Sequence, residues 1–420
     1  MKKLIYITIL MVSFALYGKA QQQPSTSLPT FEIFFKNKAQ VYPGVFPIYQ
    51  VEDKYYLEIG EAQFNKDILI IGDLKNGTST LAKTTGIIQF SKGLKNNLNV
   101  RRNNYSERAD GNETMAAVVS KSTLPPVSFV YKIEAMGNKE GSYIIDISRQ
   151  LIDGGDLFSF KNYGPISTPD PARSNVESVD PIADGVVFNV IRTQNNPGRT
   201  AGGKAIDLPS SFQLDLIIQQ LPDQLMPVKY SDKRVGFATQ SYTDFGKAEY
   251  AAKKINIIKK WNISVKPTDL SQYKKGVLVA PQTPIQVYLD PSIPNVFVNA
   301  VKDGITAWNT CFETAGFKNV LKIMPTEEKS KNSIASGKLV VSWGENLTKA
   351  SVAIIDDPRT GEIKAAKMSI SSNLASDLLA KYFVQCGAHD ERIQKDLYHI
   401  EVQKELIKFK VSQAMAEVLG

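Results

Sequence analysis

The chain contains 420 residues, of which 43% are apolar and 22% are charged, a composition typical of a folded globular protein. This length predicts two or three domains, because single domains mostly contain about 100–200 residues. The formal net charge is +8, from 50 basic and 42 acidic residues. The basic residues are scattered along the chain, which argues against nucleic-acid binding, since that function depends on concentrated positive charge.

The first twenty residues have the pattern of a secretory signal peptide. Lys2 and Lys3 form a basic start, residues 4–17 are apolar, and residues 18–20 (GKA) supply small side chains for cleavage. The apolar run is shorter than the roughly 20 residues that span a bilayer. We therefore expect a signal peptide over 1–20, a periplasmic or secreted product, and no membrane span after cleavage. An N-terminal membrane anchor is the alternative.

The two cysteines, Cys311 and Cys386, could pair in an oxidising compartment. Cys311 falls on the apolar stripe of a predicted helix, however, and this favours a buried free thiol. The sequence therefore predicts a chain that depends on packing and not on a disulfide framework.

The N-terminal half is rich in predicted strands. Alternating or continuous apolar runs predict them at 53–59, 67–72, 125–133, 142–147, 186–192 and 212–219. Residues 21–30 form a polar leader, and Asn76-Gly77 is a turn signal. The segment 161–181 contains four prolines and is predicted to be irregular, while the Gly-rich segment 195–204 is predicted to form a hairpin tip. A helix near 250–260 and a strand over 261–265 are expected to end this half.

After Pro267 the pattern changes to alternating strands and helices. Strands are predicted at 284–290, 338–343, 351–355 and 363–370. Val301, Ile305 and Trp308 recur at helical spacing, which predicts one helix that begins at Pro294 and ends at Gly316. The last fifty residues are predicted to be helical, with an apolar stripe at Ile393, Leu397, Ile400, Ile407, Val411, Ala414 and Val418.

These elements predict an α+β protein: β-rich N-terminal domains followed by an incomplete α/β subdomain. The expected divisions are a leader with a first small domain over 21–62, a β-rich second domain over 63–266, and an α/β subdomain over 267–420.

Several short runs, taken in order, resemble one family. They are VFPIY at 45–49, DKYYLEI at 53–59, YSDKRVGF at 230–237, AGF at 315–317 and DPRTGEI at 357–363. The family that they resemble consists of exported, periplasmic zinc-dependent metallopeptidases that carry two N-terminal domains of unassigned function. The resemblance implies a truncated zincin-like fold for 267–420, and peptide-bond hydrolysis on a peptide or protein substrate in the family.

In that family a helix bearing HExxH follows the run DPRTGEI. Two histidines four residues apart share one helical face and bind one zinc ion, and the glutamate between them is the general base. Here the helix ends in AEVLG, so Ala416 and Gly420 occupy the histidine positions and Glu417 the position of the base. We therefore expect no metal ligand at this motif and no cofactor in this chain, although the family uses zinc. Activity of the chain by itself is not expected.

Three other patterns could form sites. His389 and His399 are ten residues apart, roughly 280° around a helix, so they do not face one metal. Adjacent strand residues such as Asp356 and Asp357 point to opposite faces and do not form a carboxylate pair. The turn that contains Asp357, Arg359, Gly361 and Glu362 is expected, from the resemblance, near the rim of a substrate cleft, where a sheet edge could pair with an extended peptide.

Two further functions stay open at this point. One is an exported peptide- or glycan-binding module, because the β-rich domains retain their pattern while the zinc motif does not. The other is the N-terminal part of a split metallopeptidase, whose partner would be a C-terminal peptidase fragment.

Overall fold

The computed structural model describes residues 28–75, 82–154, 158, 168–199, 202–246, 251–325, 334, 337–344 and 349–420. The predicted signal peptide, the leader up to residue 27 and the predicted turn at 76–77 lie outside these residues. The helices are α1 (Phe31–Phe35), α2 (Glu113–Ser122), α3 (Ser148–Asp153), α4 (Leu270–Lys274), α5 (Asn295–Thr306), α6 (Asn309–Thr314), α7 (Ser372–Cys386), α8 (Glu391–Lys395) and α9 (Ile400–Leu419).

The first nine strands are β1 (Gln40–Tyr42), β2 (Ile48–Val51), β3 (Lys54–Gly60), β4 (Ile68–Leu74), β5 (Ala82–Lys92), β6 (Asn97–Asn103), β7 (Glu107–Arg108), β8 (Val127–Met136) and β9 (Ser142–Asp146). The next six are β10 (Thr168–Pro169), β11 (Asn175–Ile182), β12 (Gly185–Arg199), β13 (Ala205–Gln220), β14 (Thr239–Asp244) and β15 (Lys253–Ile258). The last six are β16 (Lys260–Trp261), β17 (Ile285–Leu289), β18 (Leu321–Ile323), β19 (Lys338–Gly344), β20 (Ser351–Asp357) and β21 (Glu362–Ser371). Together the elements confirm the predicted α+β class with a β-rich N-terminal half.

One large antiparallel sheet forms most of the N-terminal half. Its strand order is β1-β2-β3-β9-β8-β6-β5-β4-β13-β12, with β10 and β11 both paired to β12. The sheet curls, so that Gly44 after β1 lies next to Pro181 of β11. The inward side chains of nearly all strands meet in one core, in which Phe46, Phe90 and Phe188 are fully buried.

The burial of β4 on both faces explains why its sequence is continuously apolar. All seven of its residues are buried. Ile68 and Ile70 face the core of the large sheet, whereas Leu69 and Ile71 face a second apolar cluster shared with Ile355 of the C-terminal half. A strand that is covered on both faces has no reason to alternate apolar with polar residues.

A small sheet of order β15-β14-β7 lies beside the large one. It corrects the helix predicted near 250–260, since residues 253–258 form β15, antiparallel to β14. Ile255 and Ile257 alternate with the exposed Lys254 and Asn256, which is the period of two of a strand. The strand predicted at 261–265 is also shorter than expected, because β16 ends at Trp261. The irregular segment predicted at 161–181 contains β11 in its described part.

The C-terminal half is built on a mostly parallel sheet. Its order is β16-β21-β19-β17-β18, and β20 pairs antiparallel with β21 at one side. Helix α9 packs against α5 beneath this sheet, at a point where Gly304 lets Lys408 and Val411 approach closely. The indole Nε1 of Trp261 also donates to the carbonyl oxygen of Val418 at 2.8 Å, which ties the end of α9 to the sheet.

The single helix predicted from Pro294 to Gly316 is two helices in the structure, α5 and α6. Residues 307–308 separate the two helices, yet Trp308 and Phe312 still pack against the core, and Cys311 lies outside this stripe and is exposed. The prediction of a free thiol is confirmed, because Cys311 and Cys386 are both unpaired, but the prediction that Cys311 is buried is wrong. The predicted cap at Gly316 is confirmed, since this residue has a φ of +90°.

Among the described residues, no helix combines the length and apolar character that crossing a bilayer would demand.

Candidate functional site

The turn between β20 and β21, residues 357–361, joins the two halves of the molecule. Arg359 lies between two carboxylates: its Nε and Nη2 donate to Asp357 at 3.0 and 2.7 Å, and its Nη1 donates to Asp67 of the N-terminal half at 3.1 Å. Burial opposes the charge of Arg359, but the two carboxylates outweigh it and raise its pKa. Nη2 also donates to the carbonyl oxygen of Pro222 at 3.0 Å.

Asp67 is held in place from its own side of the junction. Tyr105 donates to Oδ2 at 2.6 Å, while Gln89 and Asn103 donate to Oδ1 at 2.9 and 3.1 Å. Burial, followed by this hydrogen bond to Asp67, raises the pKa of Tyr105. These three donors and the guanidinium of Arg359 fix the orientation of the Asp67 carboxylate at the junction.

The small sheet holds the same turn from the other side. Arg108 donates to the carbonyl oxygens of Pro358 and Arg359, and its guanidinium lies 4.2 Å from the ring centre of Tyr242. Gln240 donates to the carbonyl oxygen of Pro358 at 3.0 Å. The turn is therefore fixed through its backbone as well as through Arg359.

A second set of buried charges crosses the junction a short distance away. Lys367 of β21 lies 2.6 Å from Oδ1 of Asp73 in β4 and is only 3% exposed. Lys75 lies 3.4 Å from Asp73 and 2.9 Å from Asp215 of β13. Burial alone would raise the pKa of Asp73, but Lys367 and Lys75 outweigh it and lower the pKa. The four residues form a neutral quartet that we call the charge quartet.

The structure brings together the four residues that the sequence placed at the rim of a cleft. Asp357 and Arg359 lie inside the junction, and Gly361, with a φ of +75°, packs against the carbonyl oxygen of Ile258. Glu362 is 7% exposed and lines a groove beside the junction. A role of these residues at the rim of a substrate cleft stays a prediction.

This groove, which we call the junction groove, has a volume of about 580 Å³. One wall is the irregular segment 222–227 of the N-terminal half, and the other comes from the segments that lead into β17 and β19. Glu362 and Lys364, whose side chains lie 3.2 Å apart, also line it. Pockets of this size hold small molecules or a few residues of a peptide. Further lining is provided by Trp261, Asn262, Ser264, Gln282 and Thr283.

The end of α9 carries the residues aligned with the zinc motif. Ala416 and Glu417 are exposed, and Gly420 lies directly against the carbonyl oxygen of Lys259. The described residues contain no ion-pair or hydrogen-bond partner for Glu417. Zinc needs nitrogen, sulfur or oxygen donors, and the side chains at 416 and 420 have none. In the described part of the chain, no group of three His, Cys, Asp or Glu side chains is arranged for a metal. These residues therefore do not fit zinc.

The two histidines take up separate positions. His389 is exposed after α7, and His399 lies at the start of α9, half-buried. Asp356 pairs with Lys259 at 2.9 Å whereas Asp357 pairs with Arg359, so the adjacent carboxylates have different partners.

This chain is an α+β protein whose two halves meet at a turn of buried charges. Two of its segments match family models. Residues 28–77 match the family model described as domain of unknown function DUF5118, and residues 81–266 match that described as domain of unknown function DUF5117. Two N-terminal domains of unknown function are thus present. Strands from both matched segments belong to the one large sheet, since β4 of the first pairs with β5 and β13 of the second. No curated protein and no solved structure matches the chain.

The junction residues of the N-terminal half were not singled out from the sequence. A signal was present for some of them: Asp73 interrupts the apolar run ILIIGDL, and Lys367 lies in the equally apolar run that forms β21. A charge inside a continuously buried strand needs a partner. The sequence does not identify that partner, because it lies almost three hundred residues away.

Proposed function

We propose that this chain is an exported relative of the zinc metallopeptidases that binds polypeptide and does not hydrolyse it by itself. One observation carries the proposal: the contacts of the junction are formed, whereas the motif at residues 416–420 lacks zinc donors. The run DPRTGEI, the most specific part of the resemblance, forms the turn of the junction and lines the groove beside it. The helix that should hold zinc presents Ala416 and Gly420 instead of histidines.

In this proposal the N-terminal domains hold the β20–β21 hairpin in a fixed position, so that the groove beside it keeps its shape. Preorganised surfaces bind more tightly, because less conformational freedom is lost on binding. Peptide-bond hydrolysis would need a metal site that the residues aligned with HExxH do not form. The location outside the cytoplasm rests on the signal-peptide pattern of residues 1–20.

The direct test uses the chain without its first twenty residues, purified and incubated with zinc. We expect no stoichiometric zinc by elemental analysis, no cleavage of an internally quenched peptide library, and specific binding on an array of decapeptides. Stoichiometric zinc together with turnover that disappears in Glu417→Gln would refute the absence of catalysis. Failure of the wild-type chain to bind any peptide would refute the binding function.

A second candidate is that the chain works with a separate C-terminal peptidase fragment. The observation in its favour is a set of exposed apolar side chains on the last helices and the turn between them: Phe383, Val384, Tyr398 and Phe409 are 48%, 84%, 68% and 66% exposed. Exposed apolar patches often mark interfaces. Reading the DNA downstream of codon 420, and co-expressing any neighbouring product that carries metal ligands, tests this candidate. A neighbour without such ligands, or one that does not co-purify, would count against it.

A further inference from the structure

The junction groove contains polar groups that no atom of the described residues satisfies. Lys364 is 9% exposed, and within the described residues its ammonium has one polar partner, Glu362 Oε1 at 3.2 Å. An ammonium carries three N–H donors, so two remain for a ligand. The second oxygen of Glu362 likewise has no partner in the described part of the chain. Polar groups buried to this extent are normally hydrogen-bonded.

The facing wall contains main-chain N–H groups without protein partners. Residues 223–226 of the segment 222–227 have backbone N–H groups without a protein acceptor among the described residues, and residues 224–226 line the groove. The segment itself is anchored at its start, because Arg359 donates to Pro222 and Lys66 pairs with Asp223 at 2.6 Å. Met226 is buried and holds the other end. These residues therefore belong to a wall that is anchored at both ends.

We propose that the junction groove binds an internal, extended stretch of polypeptide between the segment 222–227 and the Glu362–Lys364 pair. This inference rests on the proposed polypeptide-binding function and gives it a site. A peptide main chain alternates C=O and N–H groups along its length. Its carbonyl oxygens accept from the wall and from Lys364, and an N–H donates to Glu362. Residues 362 and 364 lie on the same face of β21, as successive groups of an extended chain require.

The charge of the groove suits the middle of a chain. Glu362 and Lys364 have no net charge together, so the groove has no excess charge to attract a free carboxylate or a free amine. An uncharged peptide group supplies both an acceptor for Lys364 and a donor for Glu362. An oligosaccharide is also uncharged, and the test below distinguishes it from a peptide.

The test uses the whole chain without its first twenty residues. Acetylated and amidated decapeptides that tile reduced, carboxymethylated α-lactalbumin are arrayed beside an oligosaccharide array, and the best peptide is measured by fluorescence anisotropy. Gln224 is exposed and lines the groove, so Gln224→Trp fills the groove without disturbing the core. We expect this variant to weaken peptide binding at least tenfold. Gln385→Trp, at an exposed position of α7 away from the groove, should stay within twofold of wild type.

Two further measurements separate blocking from misfolding. Lys364→Met should weaken the same peptide, and hydrogen exchange at the amides of residues 223–226 should slow when wild type is saturated with peptide. Wild-type affinity in Gln224→Trp, or unchanged exchange at these amides, would overturn the assignment of the groove while the binding function stands. Binding of oligosaccharides alone, blocked by Gln224→Trp, would overturn the peptide as ligand. No peptide binding by wild type at all would overturn the proposed function itself.

Discussion

Removal of the Lys367 ammonium is the sharpest probe of how the two halves are held together. The substitution Lys367→Met keeps the length and the apolar stem of the side chain. It removes the bond of 2.6 Å to Asp73 and the bond of 3.1 Å to the carbonyl oxygen of Leu74. The charge quartet then changes from neutral to a net charge of −1, in a place where Asp73 is fully buried.

The expected cost follows from that burial. Breaking a buried ion pair by removing one partner costs about 3–5 kcal/mol, because the remaining charge is left without full compensation. The double substitution Lys367→Met with Asp73→Leu leaves the pair of Lys75 and Asp215, which is neutral again. Replacing both members of a buried pair by apolar residues is often close to neutral. We therefore expect the double variant to recover most of the loss.

The assay is urea denaturation at pH 7, followed by far-ultraviolet circular dichroism and by tryptophan fluorescence. The matched control is Lys381→Met, because Lys381 lies the same 2.6 Å from Asp377 but is 66% exposed. Exposed pairs contribute about 0–1 kcal/mol, so the control should shift the transition little. The reasoning would be refuted if Lys367→Met changed the free energy of unfolding no more than the control does. It would also be refuted if the double variant were less stable than Lys367→Met.

Three further predictions address the junction and the surface. Since the pKa of Asp73 is lowered in the folded protein, its contribution to stability is present above its unfolded value of about 4 and is lost as the pH falls through the folded value. Urea midpoints between pH 7 and pH 3 should therefore fall less in Asp73→Asn than in wild type. Gly361→Ala should cost more than about 2 kcal/mol, because a Cβ would lie 2.5 Å from the oxygen of Ile258 at a φ of +75°. Gly203→Ala, at a φ of +79° with open space around it, should cost less in the same thermal denaturation assay. Cys311 is exposed and Cys386 is half-buried, so Ellman's reagent should modify Cys311 of the native protein faster than Cys386, and Cys311→Ser should remove the faster phase. Equal initial rates for wild type and Cys311→Ser would contradict the described exposure.

The sequence predicted most clearly the strands that are covered on one or both faces. The runs around β3, β4, β9 and β19 are apolar or alternate strictly, and each forms a strand close to the predicted bounds. The hairpin of β20 and β21 was also predicted, because its turn has the residues that such a turn needs.

The predictions failed in two places for different reasons. The isoleucines of β15 alternate, so the strand was present in the local pattern and the helix prediction missed it. The break at 307–308 and the exposure of Cys311 were not visible in a pattern with good helical spacing. Such details depend on what packs against each element, and a single sequence does not contain that information.

The junction could be predicted even less well, because its partners are distant along the chain. Arg359 and Asp67 are 292 residues apart, and Lys367 and Asp73 are 294 apart. The resemblance predicts that the turn at 357–361 lies near the rim of a substrate cleft. The structure adds that the turn is held by Arg108 and Gln240 from a different sheet. No periodicity or local motif links these residues.

The position of this turn has a consequence for the two domains of unknown function. The hairpin of β20 and β21 carries Arg359 and Lys367, two buried cations whose acidic partners Asp67 and Asp73 belong to the N-terminal half. Without Asp73, the Lys367 ammonium would have to be buried at a cost of several kcal/mol, or the hairpin would have to turn outward, and Arg359 would keep only Asp357 as its partner. Folding of the C-terminal sheet and docking of the N-terminal domains are therefore coupled. The N-terminal domains then act as a permanent part of the C-terminal fold, and they determine the shape of the groove that lies between the two halves.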